Sequence, residues 1–167
     1  MQLATAPAPI ASAPLVIEDE ALVRLYAYWD GKRAGRRFPA RADIHPLDFA
    51  YLLGWVMLID VAYQPLSFRF RLYGSELAGN MNFDLTGKDL AEHPDPEFRT
   101  RTARVWAEVV DGGQPTCSKY DGWVDGRLMR YEALRLPLSS DGETIDMLLV
   151  AVHHLTIAAE APAFVRR

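Results

Sequence analysis

Residues 67–87 read SFRFRLYGSELAGNMNFDLTG, and the pattern changes character halfway along. Phe68, Phe70 and Leu72 share one parity, while Arg69, Arg71 and Tyr73 share the other. A period of two with one apolar side predicts a β-strand with one buried face. Gly74 and Ser75 end it. Asn80, Asn82, Asp84 and Gly87 then follow too densely for a long helix, so short helical turns are predicted. A strand that breaks into short helices predicts a sheet covered on one face by a loose helical layer, a natural place for a small-molecule cavity.

Upstream lies WVMLIDV, Trp55 to Val61, apolar at both parities until Asp60. That pattern predicts a central strand covered on both sides, joined to the first stretch through a Gln64-Pro65 turn. Downstream, Lys88 to Glu92 can form one helical turn. Asp95 then predicts an N-cap, with Pro96 at the first position of a helix. Phe98, Thr102, Val105, Trp106 and Val109 trace its buried face, and Gly112-Gly113 ends it. Arg99, Arg101, Arg104 and Glu108 are predicted to form its solvated face.

The rest is strand and turn. Thr116 to Val124 and Leu128 to Leu138 are predicted to pair across an Asp125-Gly126 turn, and Thr144 to Leu155 returns after Ser139 to Gly142. The charges Arg130 and Glu132 set against Arg135 predict a phase shift near Ala133, such as a bulge. The last strand is again apolar on both faces. If hairpin neighbours pair and the two most apolar strands meet, the sheet order is 2-1-5-4-3, in an α+β domain.

Before the sheet, Glu18, Asp19 and Glu20 suit a helix N-terminus. Leu22, Leu25, Tyr26 and Trp29 form one apolar stripe, which fits either packing on the outer face of the sheet or a dimer seam. Lys32, Arg33, Arg36, Arg37 and Arg41 cluster around Gly35, as a solvated connector or an anion site. Pro46 to Leu53 reads as a short helix capped by Gly54. The Ala- and Pro-rich residues 1–17 are read as a flexible leader, 18–157 as a single domain with an N-terminal helical extension, and 158–167 as a tail.

Composition excludes several classes of function. The 167 residues carry a formal net charge of −4, which disfavours nucleic acid and anionic membranes as partners. No apolar run approaches the roughly 20 residues that span a bilayer. Cys117 is the only cysteine, so a disulfide within the chain is impossible and a reducing cytoplasm is the expected compartment. His153 and His154 are adjacent on a strand and point to opposite faces, so they do not grip one ion together. His45 and His93 sit beside prolines in connectors. No metal site is predicted, and no HExxH, phosphate-binding glycine loop or GxSxG occurs.

The element order resembles that of a PAS domain, a sensory and interaction module with a five-stranded antiparallel sheet, and more closely a group of small stand-alone bacterial PAS proteins. The resemblance rests on YWDGKRAGRRFPARADIHPLDFAYLLGWVMLIDV, FRFRLYGSEL, DLTGKDL and the LPLSSDG turn, together spanning about Leu22 to Val152. It implies short helices and one long helix on one face, with the first helix packed outside. In that group an Arg and a Gly-Thr pair close the second strand, here Arg71 and Gly74-Ser75. Asn82-Phe83 stands where a glycine commonly precedes the Asp-Leu-Thr-Gly turn, which puts a bulky ring at the mouth of the expected cavity.

The resemblance implies a non-catalytic regulatory protein, a homodimer, that binds a signalling partner such as a kinase or regulator. Leu22, Leu25, Tyr26 and Trp29 would form the dimer or partner interface. Blue-light PAS domains carry a cysteine before the long helix, whereas Cys117 follows it, so a covalent flavin is not expected. Haem-binding members use a histidine on or near that helix, whereas His93 precedes it, so haem is not expected either. The residues expected around a ligand are Phe68, Phe70, Leu72, Met81, Phe83, Phe98, Val105, Trp106, Trp123, Tyr131 and Met147, with Arg71, Ser75 and Tyr120 as polar or turn groups. Aromatic and methionine residues at these parities are more often filled core than ligand box. The competing class is an isomerase- or dehydratase-like enzyme on a curved sheet, for which Asp60 and Tyr131 are the only acid-base pair.

Overall fold

The computed structural model describes residues 14–124 and 127–158. The Asp125-Gly126 turn, most of the leader and the tail beyond 158 lie outside them. Five antiparallel strands, β1 (Val56–Ala62), β2 (Ser67–Tyr73), β3 (Thr116–Val124), β4 (Arg127–Leu138) and β5 (Met147–Ala158), form one sheet in the order β2-β1-β5-β4-β3. This is the predicted order. The two strands apolar at both parities do meet, with Leu58 opposite Leu149 and Met57 opposite Val150.

Helices α2 (Ser75–Met81) and α3 (Pro96–Gly112) cover one face. Asp95 caps α3 by accepting from the backbone N–H groups of Glu97 and Phe98, and Gly113 ends it in the left-handed region at φ 60°. Helix α1 (Glu20–Arg33) and the 3-10 turns of Pro46–Trp55 lie on the other face. The predicted short helix at 46–53 is broken at Phe49 (φ −130°, ψ 41°), whose ring is buried in the core.

Leu22, Leu25 and Trp29 are buried within the chain itself, and the Trp29 indole N–H donates to the Pro137 carbonyl at 2.9 Å. The stripe therefore packs on its own sheet. That corrects its reading as an interface for these three residues; Tyr26 is half-buried beside Trp29, with ring centroids 6.0 Å apart. Within the basic cluster beyond α1, Arg36 folds back on the helix end. Arg36 donates to the carbonyls of Lys32 and Arg33 and to the Asp43 carboxylate at 2.7 Å, satisfying orphan carbonyls of the last turn.

The predicted parity of β2 holds only as far as Phe70. Leu58 pairs with Leu72, but Ile59 pairs with Phe70, so Arg71 is an extra residue in a β-bulge. One inserted residue exchanges the faces beyond it. Tyr73 enters the helix-covered face, and Leu72 leaves it for the α1 side, where it is 41 % exposed. The phase shift predicted near Ala133 is also corrected. The ladder shifts register at Tyr131, with Arg130 opposite Thr156 and Glu132 opposite His153, so the extra residue lies on β5. Strand β4 keeps one parity, and Met129, Tyr131, Ala133 and Arg135 all face the α3 side.

The DLTG turn seals the free edge of β2. Gly87, at φ 80°, donates its N–H to the Phe70 carbonyl, the Phe70 N–H donates to the Lys88 carbonyl, and the Tyr73 N–H donates to the Thr86 hydroxyl. Covering an edge in this way removes a template for unwanted strand pairing. At the opposite corner, β5 begins at Met147 and not at Thr144. The Asp141 carboxylate holds the intervening turn by accepting from the N–H groups of Glu143 and Thr144, bonds that keep its pKa down to about 2.

The junction of β2 and α2 tolerates no side chain at Gly74. A Cβ there would lie 2.3 Å from the Gly54 carbonyl oxygen and 2.8 Å from that of Val56. Gly74→Ala must push β2 away from the 46–55 turns, and overpacking of this kind costs on the order of 1–3 kcal/mol. The urea midpoint of the variant is expected to fall at an unchanged m-value.

Candidate functional site

Between α2, α3 and the sheet lies a cavity of about 330 Å³, at the small end of the roughly 300–1,000 Å³ of ligand pockets. Its floor is apolar: Met57, Ala133, Val150 and Val152 from the strands. Leu77 and Met81 come from α2, and Phe98, Thr102, Val105 and Trp106 from α3. The helical spacing of that α3 set repeats every three or four residues, which is why a single helix supplies a continuous wall. Trp106 is fixed edge-on to Phe68 and Phe70, with ring centroids 5.4 and 5.5 Å away.

The polar lining gathers at one side. Tyr120 and Tyr131 stack with ring centroids 5.1 Å apart, and the Arg101 guanidinium lies 4.0 Å above the Tyr120 ring. Burial raises the Tyr131 hydroxyl above its ordinary pKa, against the lowering effect of Arg101 and Arg135, so it stays a neutral donor. Tyr73 is likewise raised by burial. Arg135 is only 7 % exposed; its Nη1 donates to the Ser118 hydroxyl at 3.0 Å and to the Ala133 carbonyl. Desolvation pulls the Arg135 pKa down. His93, 2 % exposed, stacks on Phe98 at 4.0 Å, and its Nδ1 accepts from the Asp95 N–H.

Of the residues expected around a ligand, Met81, Phe98, Val105, Trp106, Tyr120 and Tyr131 line this cavity. Phe68 and Phe70 are core behind Trp106. Phe83 does not obstruct the cavity: it packs outside the lining, its ring stacked at 6.5 Å on Tyr73 and edge-on to His93. Leu72 and Ser75 border a separate groove on the α1 side, together with Phe49 and Leu149. Arg71, placed in the bulge, forms a 2.8 Å ion pair with Asp60 and does not reach the cavity. Trp123 is 50 % exposed at the parity opposite to Tyr120, and Met147 is buried at the start of β5, away from the lining.

Asp60 shares the parity of Leu58, which faces the α1 side, whereas Tyr131 faces the cavity. The acid-base pair required by the enzymatic reading is thus split between the two faces of the sheet. Among the described residues no group of three or more His, Cys, Asp or Glu could hold a metal ion, and no helix is long and apolar enough to cross a membrane.

Sequence reasoning missed Arg101, Arg104, Arg135 and His93, all of which line the cavity. For Arg101 a signal was present: it stands three residues after Phe98 and four before Val105, on the buried face and not the solvated one. For Arg135 the signal was a charge inside an otherwise apolar run, LRLPL, at the parity of Tyr131 and Ala133.

A family model described as PAS domain matches residues 17–152. The chain belongs to the PAS-domain family, whose members are generally sensory and regulatory modules. No curated protein and no solved structure matches it.

Cys117 faces away from the cavity. Its thiol donates to the Glu132 carboxylate at 3.3 Å, and burial, reinforced by that carboxylate, pushes its pKa up to about 12. The thiolate is the reactive form, so alkylation of the native protein at pH 8 is expected to run far slower than that of the urea-unfolded chain. Timed iodoacetamide labelling read by mass spectrometry checks this; equal rates would refute it.

Proposed function

We propose that this chain is a cytoplasmic, non-catalytic PAS sensor that takes a small, largely apolar ligand into the α3-side cavity and reports its occupancy to a signalling protein partner. One observation carries the reading: strand β4 runs between the cavity and the N-terminus of α1. Tyr131, Ala133 and Arg135 face the cavity. Between them, Glu132 faces the other way and accepts from the backbone N–H groups of Glu18 (2.9 Å) and Asp19 (3.0 Å). A ligand that binds better to one position of β4 acts on both sides of the sheet at once, because the Glu132 contacts move with the strand.

Homodimerisation and partner contact use the outward side of the α1 layer. Val23, Leu47 and Tyr51 are exposed there, with Arg24 stacked 3.9 Å above the Tyr51 ring. Leu22, Leu25 and Trp29 hold that layer in place from beneath. No haem or covalent flavin enters this reading, because Cys117 lies on the Glu132 side of β3 and the His93 ring is packed against Phe98 and Phe83.

Native mass spectrometry of the freshly purified protein, followed by hydrogen exchange, tests the reading. The expected result is a dimer carrying a retained small molecule, whose removal weakens amide protection over residues 18–25. A monomer with an empty cavity and unchanged protection after soaking with a metabolite extract would overturn it.

A further inference from the structure

The charge of the cavity lining is one-sided. Arg101, Arg104, Lys119 and Arg135 all line it, and none of its lining residues is Asp or Glu. Lys119 is already paired with Glu18 at the outer edge, and Arg104 is exposed on α3. Arg101 and Arg135 are different. Among the described residues neither has a carboxylate within 4.0 Å, and each keeps one guanidinium nitrogen buried without a hydrogen-bond partner: Nη2 of Arg101 and Nε of Arg135. The Glu108 carboxylate acts on Arg135 only through space. A guanidinium cannot escape by losing its proton in the way a buried lysine does, so an unmet buried N–H of this kind stands as a cost.

The two Nη1 hydrogen bonds of Arg135 and the Tyr120 contact of Arg101 offset only part of that cost, and an apolar residue at 135 would complete the floor formed by Ala133, Val150 and Val152. A bound anion would meet the remaining donors. Guanidinium groups present paired N–H donors in a plane that matches a carboxylate, and such charge-assisted bonds are about twice as strong as neutral ones. The apolar part of the wall, Met81, Met129, Phe98 and Trp106, suits an apolar or aromatic body. Resting on the sensory reading above, we infer that the ligand is a small amphipathic carboxylic acid, its carboxylate held by Arg135 and Arg101 and its apolar body lodged between Phe98, Trp106 and the two methionines.

The test uses benzoate and hexanoate as probes, benzamide and hexanamide as their uncharged counterparts, and inorganic phosphate as an anion without an apolar body. Binding is followed by Trp fluorescence and calorimetry on the wild type, Arg135→Met, Arg101→Gln and the surface control Arg71→Gln, which lies outside the lining. At least one carboxylate is expected to bind at least about tenfold tighter than its amide, with that preference lost in both cavity variants and kept in Arg71→Gln. Arg135→Met should also keep or raise the melting temperature of the ligand-free protein, because it removes an unmet buried charge; a purely structural arginine would lower it. If the Arg135 variant fails to fold, Arg101→Gln, whose side chain is only half-buried, carries the comparison alone.

Equal binding of acid and amide would overturn the assignment of the two arginines while leaving a ligand-binding cavity intact. Phosphate binding as tightly as benzoate would overturn the apolar body. Absence of binding by every probe would overturn this inference; only an empty cavity and unchanged exchange in the preceding experiment bear on the sensory reading itself.

Discussion

Strand β4 is covered on both faces and nevertheless carries two buried charges of opposite sign, Glu132 and Arg135, only 6 % and 7 % exposed. Three residues apart, they face opposite sides of the sheet, so they do not neutralise one another. A buried carboxylate has to be met, and Glu132 is met by two backbone N–H groups at the entrance to α1 and by the Cys117 thiol. Asp19 supplies one of those amides, caps α1 through the Leu22 N–H, and pairs with His153 Nδ1 at 2.8 Å. The entrance to α1 is thus fixed by the need to satisfy a single acidic side chain, while Leu22, Leu25 and Trp29 hold the rest of the helix on the sheet. Removing Glu132 would leave the Glu18 and Asp19 N–H groups without their carboxylate acceptor.

The opposite face is built on a different rule. There α2 is short, α3 is held on the sheet through Trp106 and Val109, and the outer wall is assembled from rings that pack on one another. Tyr73, Phe83, His93 and Phe98 form a continuous run of ring contacts from the end of β2 to the first turn of α3. The bulge at Arg71 brings Tyr73 into this layer in place of Leu72. A leucine would add apolar filling at this point; tyrosine adds a ring and a hydroxyl that burial keeps neutral.

The sheet order was legible because its two determinants are coarse. Trp55 to Val61 and the run after Thr144 are apolar at both parities, and only a central position buries both faces. The ends of α3 were legible from Asp95, Pro96 and Gly113, where cap chemistry is local. The bulge at Arg71 was not, since one inserted residue leaves the composition and the flanking alternation unchanged; the parity of Leu72 failed with it. The site was half legible for a related reason. Aromatic and methionine residues announce an apolar wall, so Met81, Phe98, Val105 and Trp106 could be placed, but periodicity treats every arginine as solvated. Arg101 and Arg135 break that assumption: their spacing marks the buried face, but only the fold shows that this face lines a cavity.

The contact between Arg101 and Tyr120 has a kinetic consequence. It joins α3 to β3 across one side of the cavity at 4.0 Å, and a half-exposed cation–π contact is worth about 0.5–1 kcal/mol. Breaking it raises a barrier little above thermal energy, far below the several kcal/mol needed to unpair a strand. The cavity can therefore open along this side far more often than the chain unfolds. On the sensory reading proposed above, its occupancy would follow the free ligand concentration and keep no memory of past exposure.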